Sequence, residues 1–189
     1  MYEFKYQRPT TVRQAVNMLT KDPEAKLLAG GHSLLPVMKL RLAKPSALVD
    51  IGHIEDLSGI ELKGRSIVIG ALARHVDVAN SKVVKDALPV LAELAGMIGD
   101  PAVRHRGTLG GSLANNDPNA DYPAAVLGLG ATVITNKRRI AADDFFRACS
   151  RPRSSPTRSS PRCSSRSPRR RPTRSSSTRR RASRWSACS

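Results

Sequence analysis

Apolar and polar positions change period several times along the first 146 residues, and each change predicts an element. Val12, Ala15, Val16 and Leu19 recur at helical spacing, which predicts a helix over Val12–Thr20 with Thr10 and Thr11 as candidate caps. Ala25–Ala29 reads as a short strand running into Gly30-Gly31, and Val37–Leu42 as a short helix beyond Pro36. Ala47–Ile51 is a second strand, and Gly59–Leu62 with Ser66–Ile69 predicts a hairpin about Lys63-Gly64-Arg65. Val76–Ser81 predicts a short helix. Val83–Ile98 predicts a longer one, with its real first turn at Pro89 and its end at Gly99-Asp100-Pro101. Arg106–Pro123 has the composition of a loop, and Ala131–Thr135 is the last clear strand. The sum is an α+β fold with few β-α-β signals and no internal repeat.

Beyond Phe146 the patterning stops. Residues 147–189 hold 14 Arg, 14 Ser and five Pro, and no Asp, Glu, Lys, Gly, Val, Ile or Leu. Of the net charge of +17 this segment carries +14, so residues 1–146 are nearly neutral at +3. A segment without aliphatic residues buries too little apolar area to offset chain entropy, so 147–189 is expected to be a disordered Arg/Ser/Pro-rich tail. A nucleic-acid-binding arm, a solvated linker and out-of-frame translation of a GC-rich coding region are its three possible origins. The last accounts best for the missing Lys and Gly, the isolated Cys, the lone Trp and the abrupt change after Phe146. No sequence-specific nucleic-acid module accompanies the tail.

Residues 1–146 suffice for one buried core. The longest nearly apolar run, Ala124–Ile134, is too short to span a bilayer, and Met1–Lys5 lacks the apolar stretch of a secretory signal. Cys149, Cys163 and Cys188 all lie in the tail, which leaves the body without a disulfide framework or thiolate metal ligands. A cytoplasmic, soluble domain is the expectation.

Two glycine-bearing segments carry candidate chemistry. In Ala29-Gly30-Gly31-His32-Ser33-Leu34 a strand runs into paired glycines and then a helix start, so main-chain N–H groups could receive an anion such as a diphosphate. A tight turn with no ligand explains the same residues. The segment is neither a G-x-x-x-x-G-K-[ST] nor a G-x-G-x-x-G motif. Thr108-Leu109-Gly110-Gly111-Ser112 again pairs glycines with hydroxyls and continues through Asn115-Asn116-Asp117 to Asp121, the composition of a pocket rim or of a series of Asx turns. His32, His53, His75 and His105 have no metal-ligand spacing, and only His32 lies within a glycine segment. Arg104 and Arg106 flank His105, facing a phosphate, a partner or solvent. No nucleophile–histidine–carboxylate set is evident from residue order.

Leu27–Leu42 (LLAGGHSLLPVMKLRL) and Arg106–Ala125 (RGTLGGSLANNDPNADYPAA), in this order and at this separation, resemble the FAD-binding medium subunit of molybdenum hydroxylases. The similarity is to the carbon monoxide dehydrogenase medium-subunit type, related to the flavin domain of xanthine dehydrogenase, and Tyr2–Leu19 resembles that family's first strand and helix. The resemblance covers 1–146 and implies a PCMH-type (vanillyl-alcohol-oxidase-like) flavin fold, in which two α+β subdomains clasp FAD. It implies that Ala29, Gly30, Gly31, His32, Ser33 and Leu34 hold the diphosphate and that Thr108, Leu109, Gly110, Gly111 and Ser112 form the second FAD segment. Asp121 matches a carboxylate contacting the cofactor, Ile98 an apolar lining position, and Asn116 a further rim position.

The resemblance also implies partners: an iron–sulfur small subunit that feeds the flavin and a molybdopterin large subunit that oxidises the substrate. No residue of this chain need then be a catalytic acid, base or metal ligand. The family continues past Phe146 with more strands of the flavin domain and a further domain. Neither is expected from Arg147–Ser189, so sheet edges and part of the flavin pocket should lie uncovered. A nucleic-acid-binding protein using the tail, and a single-chain flavin oxidoreductase of the same fold, are the alternatives.

Overall fold

A computed structural model describes residues 1–149 and 184–186. Its first lobe begins with β1 (Lys5–Gln7), α1 (Val12–Lys21), β2 (Lys26–Leu28), α2 (Leu34–Lys39) and β3 (Ala47–Asp50). The strands form one parallel sheet in the order β1-β3-β2. The few β-α-β signals in the sequence therefore understate the lobe, because each pair of successive strands is joined through a helix. Strands of three or four residues are too short for a periodicity to register.

Thr11 caps α1 by accepting from the Gln14 amide, as its position suggested. The second helix starts at Leu34 rather than Val37. Pro36 sits in its first turn, where no intrahelical N–H is required, so it falls inside the helix and does not mark its start. Ala15, Ala25, Val49, Ile51, Ile54 and Leu57 form this lobe's core.

After the 3-10 turn Glu55–Leu57, the hairpin β4 (Ile60–Lys63) and β5 (Ser66–Ile69) turns at Gly64, whose φ is +61°. Then follow α3 (His75–Asn80), α4 (Lys82–Ala87), α5 (Pro89–Met97), α6 (Pro101–Arg106), α7 (Leu109–Asn115) and α8 (Asp121–Gly128). Pro89 opens α5, as expected, and splits the predicted long helix in two. Arg106–Pro123 is largely helical rather than a loop. Leu109 and Leu113, one turn apart and both fully buried, drive α7 into the core although its other residues are small or polar. The chain ends its described body with β6 (Thr132–Ile134), β7 (Arg139–Ala141) and α9 (Ala142–Cys149).

Residues 70–74 join the two lobes. Ala71 and Ala73 pack into the second core, with Leu91, Leu109, Val126 and Val133, while Leu72 packs into the first. The segment turns at Ala71-Leu72, with Ala73 N donating to Gly70 O at 3.1 Å, and this turn sends Leu72 into one core and its neighbours into the other.

The described part of the tail beyond residue 149 is Arg184–Ser186. These residues form β8, which lies between β5 and β6 and completes the order β4-β5-β8-β6-β7. Trp185 is in register with Ile69 on one side and Val133 on the other, both pairings parallel. Ladder hydrogen bonds belong to the backbone, so three residues can close a sheet without aliphatic neighbours. The remaining tail positions, 150–183 and 187–189, lie outside the described residues. A chain ended at residue 149 is expected to leave facing edges on β5 and β6 and to self-associate, seen as rising light scattering with concentration. Monodisperse behaviour of that chain would show β8 to be dispensable.

Candidate functional site

A cleft of about 190 Å³ opens between the lobes. Its floor on the first lobe is the end of β2, Leu28-Ala29-Gly30, with Leu35 of α2 and with Asp50, Gly52 and His53 at the end of β3. The second lobe contributes Leu72, Arg74, Arg106 and Thr108. The two glycine segments thus meet at one place, 78 residues apart between Gly30 and Thr108.

The meeting is a backbone-to-backbone contact. A Cβ on Gly30 would stand 2.0 Å from the Arg106 carbonyl oxygen and 3.0 Å from Gly107 Cα. Gly31 has φ of +78°, a region that L side chains avoid. Gly107 is pressed against His75, whose Nε2 would lie 2.5 Å from an added Cβ. His75 N donates to Gly107 O at 3.1 Å, and Arg74 bridges Thr108 in antiparallel fashion. Gly110 packs on Ala71, where an added Cβ would be 2.6 Å from the alanine Cβ. Gly30 and Gly110 therefore let main chains dock, and Gly107 makes room for the His75 ring.

The two segments differ in what they leave open. At the start of α7 the amides are engaged within the protein: Leu109 N donates to Ala73 O at 3.0 Å, Gly110 N to Ala71 O at 2.8 Å, Gly111 N to Thr108 Oγ1 at 3.2 Å and Ser112 N to Thr108 O at 3.0 Å. Among the described residues, the amides of Gly30, Gly31, His32 and Ser33 donate to no protein acceptor. Main-chain N–H groups are obligatory donors, so this run is open to an anion.

Of the residues singled out from sequence, Ala29, Gly30 and Thr108 line the cleft. Gly31, His32 and Ser33 lead into α2, which Leu34 begins. Leu109 and Gly110 are buried in the first turn of α7, followed by exposed Gly111 and half-buried Ser112. Ile98, Asn116 and Asp121 do not line the cleft. Ile98 caps α5, and its carbonyl accepts from the Arg104 guanidinium. Asn116 ends α7 in the left-handed conformation, φ +47°, and Asp121 starts α8 exposed to solvent.

Sequence reasoning did not single out Asp50, Gly52, Leu72 or Arg74. A signal existed for Asp50, a carboxylate ending the strand beside the glycine turn; none existed for Arg74, which only the docking of the lobes brings in.

Charge in the cleft is separated. Arg74 and Arg106 are exposed at its second-lobe wall, and among the described residues neither has a carboxylate within salt-bridge reach. Asp50 stands on the opposite wall, accepting from Gly52 N at 2.9 Å and from the Tyr6 hydroxyl. That hydrogen bond raises the Tyr6 pKa. Behind the cleft His75 is 5% exposed, and burial, with the like charge of His32 as a smaller cause, pulls its pKa down to about 4. Its ring centroid is 5.1 Å from that of Tyr122, whose hydroxyl pKa is raised by burial and by Asp121. His75 Nδ1 and Tyr122 Oη are both buried without a hydrogen-bond partner among the described residues.

Comparison with known proteins gives concordant matches. The family described as the FAD binding domain in molybdopterin dehydrogenase matches residues 2–158. The carbon monoxide dehydrogenase medium chain of Hydrogenophaga pseudoflava is 45% identical over 148 residues, covering 76% of this chain and 52% of that protein. The nicotine 6-hydroxylase medium subunit of Paenarthrobacter nicotinovorans is 38% identical over 146 residues, covering 75% and 52%. Among solved structures, carbon monoxide dehydrogenase from Hydrogenophaga pseudoflava superposes with a TM-score of 0.73 at 45% identity, covering 75% of this chain and 51% of that one. Quinoline 2-oxidoreductase from Pseudomonas putida 86 superposes with a TM-score of 0.72 at 34% identity, covering 75% and 51%. The chain spans about half the length of the relatives it matches.

Proposed function

Because the chain belongs to the family of FAD-binding domains of molybdopterin dehydrogenases, we propose that it holds FAD in the inter-lobe cleft as the flavin-bearing part of a molybdenum hydroxylase medium subunit. In that role it relays electrons from an iron–sulfur subunit, itself served by a molybdopterin subunit, to an external acceptor. The observation behind this is the run of amides Gly30–Ser33, which donate to no acceptor among the described residues, with Gly30 in the wall of a cleft whose other wall carries Arg74 and Arg106, neither of them within salt-bridge reach of a carboxylate among those residues. Backbone donors and fixed cations are the groups that a diphosphate needs.

FAD supplies the redox chemistry when bound, accepting electrons singly and passing on one or two. The chain's own residues bind and orient it. Gly30 and Gly31 hold the turn, Arg74 and Arg106 balance the phosphate charge, and Thr108 orders the α7 turn at the cleft edge by accepting from Gly111 N. The site extends to the positions the family resemblance supplies, Ile98, Asn116 and Asp121, through parts of the flavin beyond this cleft. At about 190 Å³ the cleft is smaller than pockets that enclose a whole drug-sized ligand, and it accommodates a segment of the dinucleotide. No side chain is assigned a proton-transfer role. Relatives that share this domain carry names for carbon monoxide, nicotine and xanthine chemistry. Substrate choice accordingly belongs to the molybdenum subunit. Cytoplasmic residence suits such a complex, and among the described residues no helix is long and apolar enough to cross a membrane.

The full chain, titrated with FAD and followed by flavin fluorescence, is expected to bind it. Arg106→Gln and Arg74→Gln should each weaken FAD about tenfold, the scale of one charge-assisted hydrogen bond, and reduce the salt dependence of binding. Riboflavin, which has no phosphate, should bind all three proteins alike. Failure of the unaltered chain to bind FAD, or equal losses for FAD and riboflavin, would overturn the assignment.

A further inference from the structure

Beside the glycine turn, on the same wall of the cleft, stands one more built feature, and it is acidic. We infer that the Asp50 carboxylate is the subsite for sugar hydroxyls of the bound flavin nucleotide, a placement that rests on FAD occupying the cleft. The backbone topology points there first. β2 and β3 are adjacent and parallel, with Leu28 in register with Asp50, and α2 connects them. A glycine turn follows β2, and Asp50 ends β3 twenty residues after Gly30. In open parallel sheets ligands settle beyond the carboxyl ends of strands where the strand order reverses. Here the order runs outward from β1 to β2 and returns to β3 between them, so the reversal lies at the β2 and β3 ends. Both ends line the cleft.

The local chemistry agrees. The Asp50 side chain is only 13% exposed and is held at both oxygens, Oδ1 by Gly52 N at 2.9 Å and Oδ2 by the Tyr6 hydroxyl. A carboxylate offers about four acceptor positions, so two such bonds leave it oriented but unsaturated. His53 Nε2 stands 3.9 Å from Oδ2, beyond hydrogen-bond reach, and leaves those positions open. A negative group in this cleft repels phosphate, which Arg74 and Arg106 attract on the opposite wall. It is therefore matched to a neutral donor, a hydroxyl, and it disfavours nucleotides bearing an extra phosphate on that sugar. Two parts of FAD offer hydroxyls, the adenosine ribose and the ribityl chain.

The test measures binding of FAD, ADP, 2′-deoxy-ADP and FMN to the full chain and to Asp50→Asn, with circular dichroism confirming the fold. FAD should weaken about 10- to 100-fold in the variant, the scale of hydrogen bonds to a charged group. If the adenosine ribose is the ligand, ADP falls in parallel, FMN is unchanged, and the preference of the unaltered chain for ADP over 2′-deoxy-ADP disappears in the variant. If the ribityl chain is the ligand, FMN falls and ADP does not. A folded variant that binds FAD, ADP and FMN as the unaltered chain does would overturn the Asp50 subsite and leave the FAD assignment standing. An unaltered chain that binds neither FAD nor ADP defeats both. Should Asp50→Asn fail to fold, the unaltered chain decides alone: equal affinities for ADP and its 2′- and 3′-deoxy analogues, and for riboflavin and lumiflavin, would refute the subsite.

Discussion

Gly30→Ala is expected to lower stability by about 3 kcal/mol or more, the upper range for overpacking, because its methyl group would stand 2.0 Å from the Arg106 carbonyl oxygen. Neither side of that contact can rotate away, since both are main chain. Relief requires the lobes to separate, which would also open the cleft. For a chain of this size the loss corresponds to a melting temperature lower by roughly 6–12 °C in thermal unfolding. Gly96→Ala provides the calibration. Gly96 lies within α5 with nothing within 4 Å of its added Cβ, so alanine there should raise stability by about 0.5–1 kcal/mol through helix propensity. If both variants melt within a degree or two of the parent, the first glycine segment does not dock on Arg106-Gly107. The prediction separates two roles that a glycine-rich turn can have. Gly30 is required by the fold even with no ligand present, whereas the open amides from Gly30 to Ser33 matter only when an anion arrives.

Acid is expected to destabilise the protein through His75. In the unfolded chain this histidine titrates near its ordinary value of 6.5, whereas in the folded protein its pKa is about 4, chiefly through burial and secondarily through His32. Between those values the unfolded state binds more protons, so stability is fully present above about pH 6.5 and declines as pH falls towards 4. The decline contributed by this residue is on the order of 2–3 kcal/mol. Protonation would place a charge beside the Tyr122 ring, on a group whose Nδ1 has no acceptor among the described residues. Urea unfolding at a series of pH values measures the effect, and His75→Phe, similar in shape and unable to titrate, should flatten the curve across that window. An unchanged slope in His75→Phe would show that other groups carry the acid sensitivity.

Local elements were legible wherever chemistry and pattern coincide within a few residues. Thr11 before Val12, Pro89 at the first turn of α5, and Gly64 in the β4–β5 turn each satisfy a local backbone requirement, and each is observed where the residues place it. The α7 segment was not legible in this way. Gly110, Gly111, Asn115 and Asn116 have loop composition, and the burial of Leu109 and Leu113 against distant residues outweighs it. β8 was still less accessible: its reason for being a strand is the gap between β5 and β6, not anything in Arg184-Trp185-Ser186.

The candidate site divides along the same line. Residue types and order alone determined that two glycine segments exist, that the first can present main-chain amides, and that the chain resembles a flavin-binding family. Only the tertiary structure decided that α7 uses its amides internally while the first segment keeps its own open. It likewise decided that Asp50, Arg74 and Arg106 share one cleft. The physical reason is range. Caps, turns and helical periodicity act over a few neighbouring residues, whereas a cleft between lobes arises from contacts between segments as far apart as Gly30 and Arg106, and no local pattern specifies which groups those contacts leave unpaired.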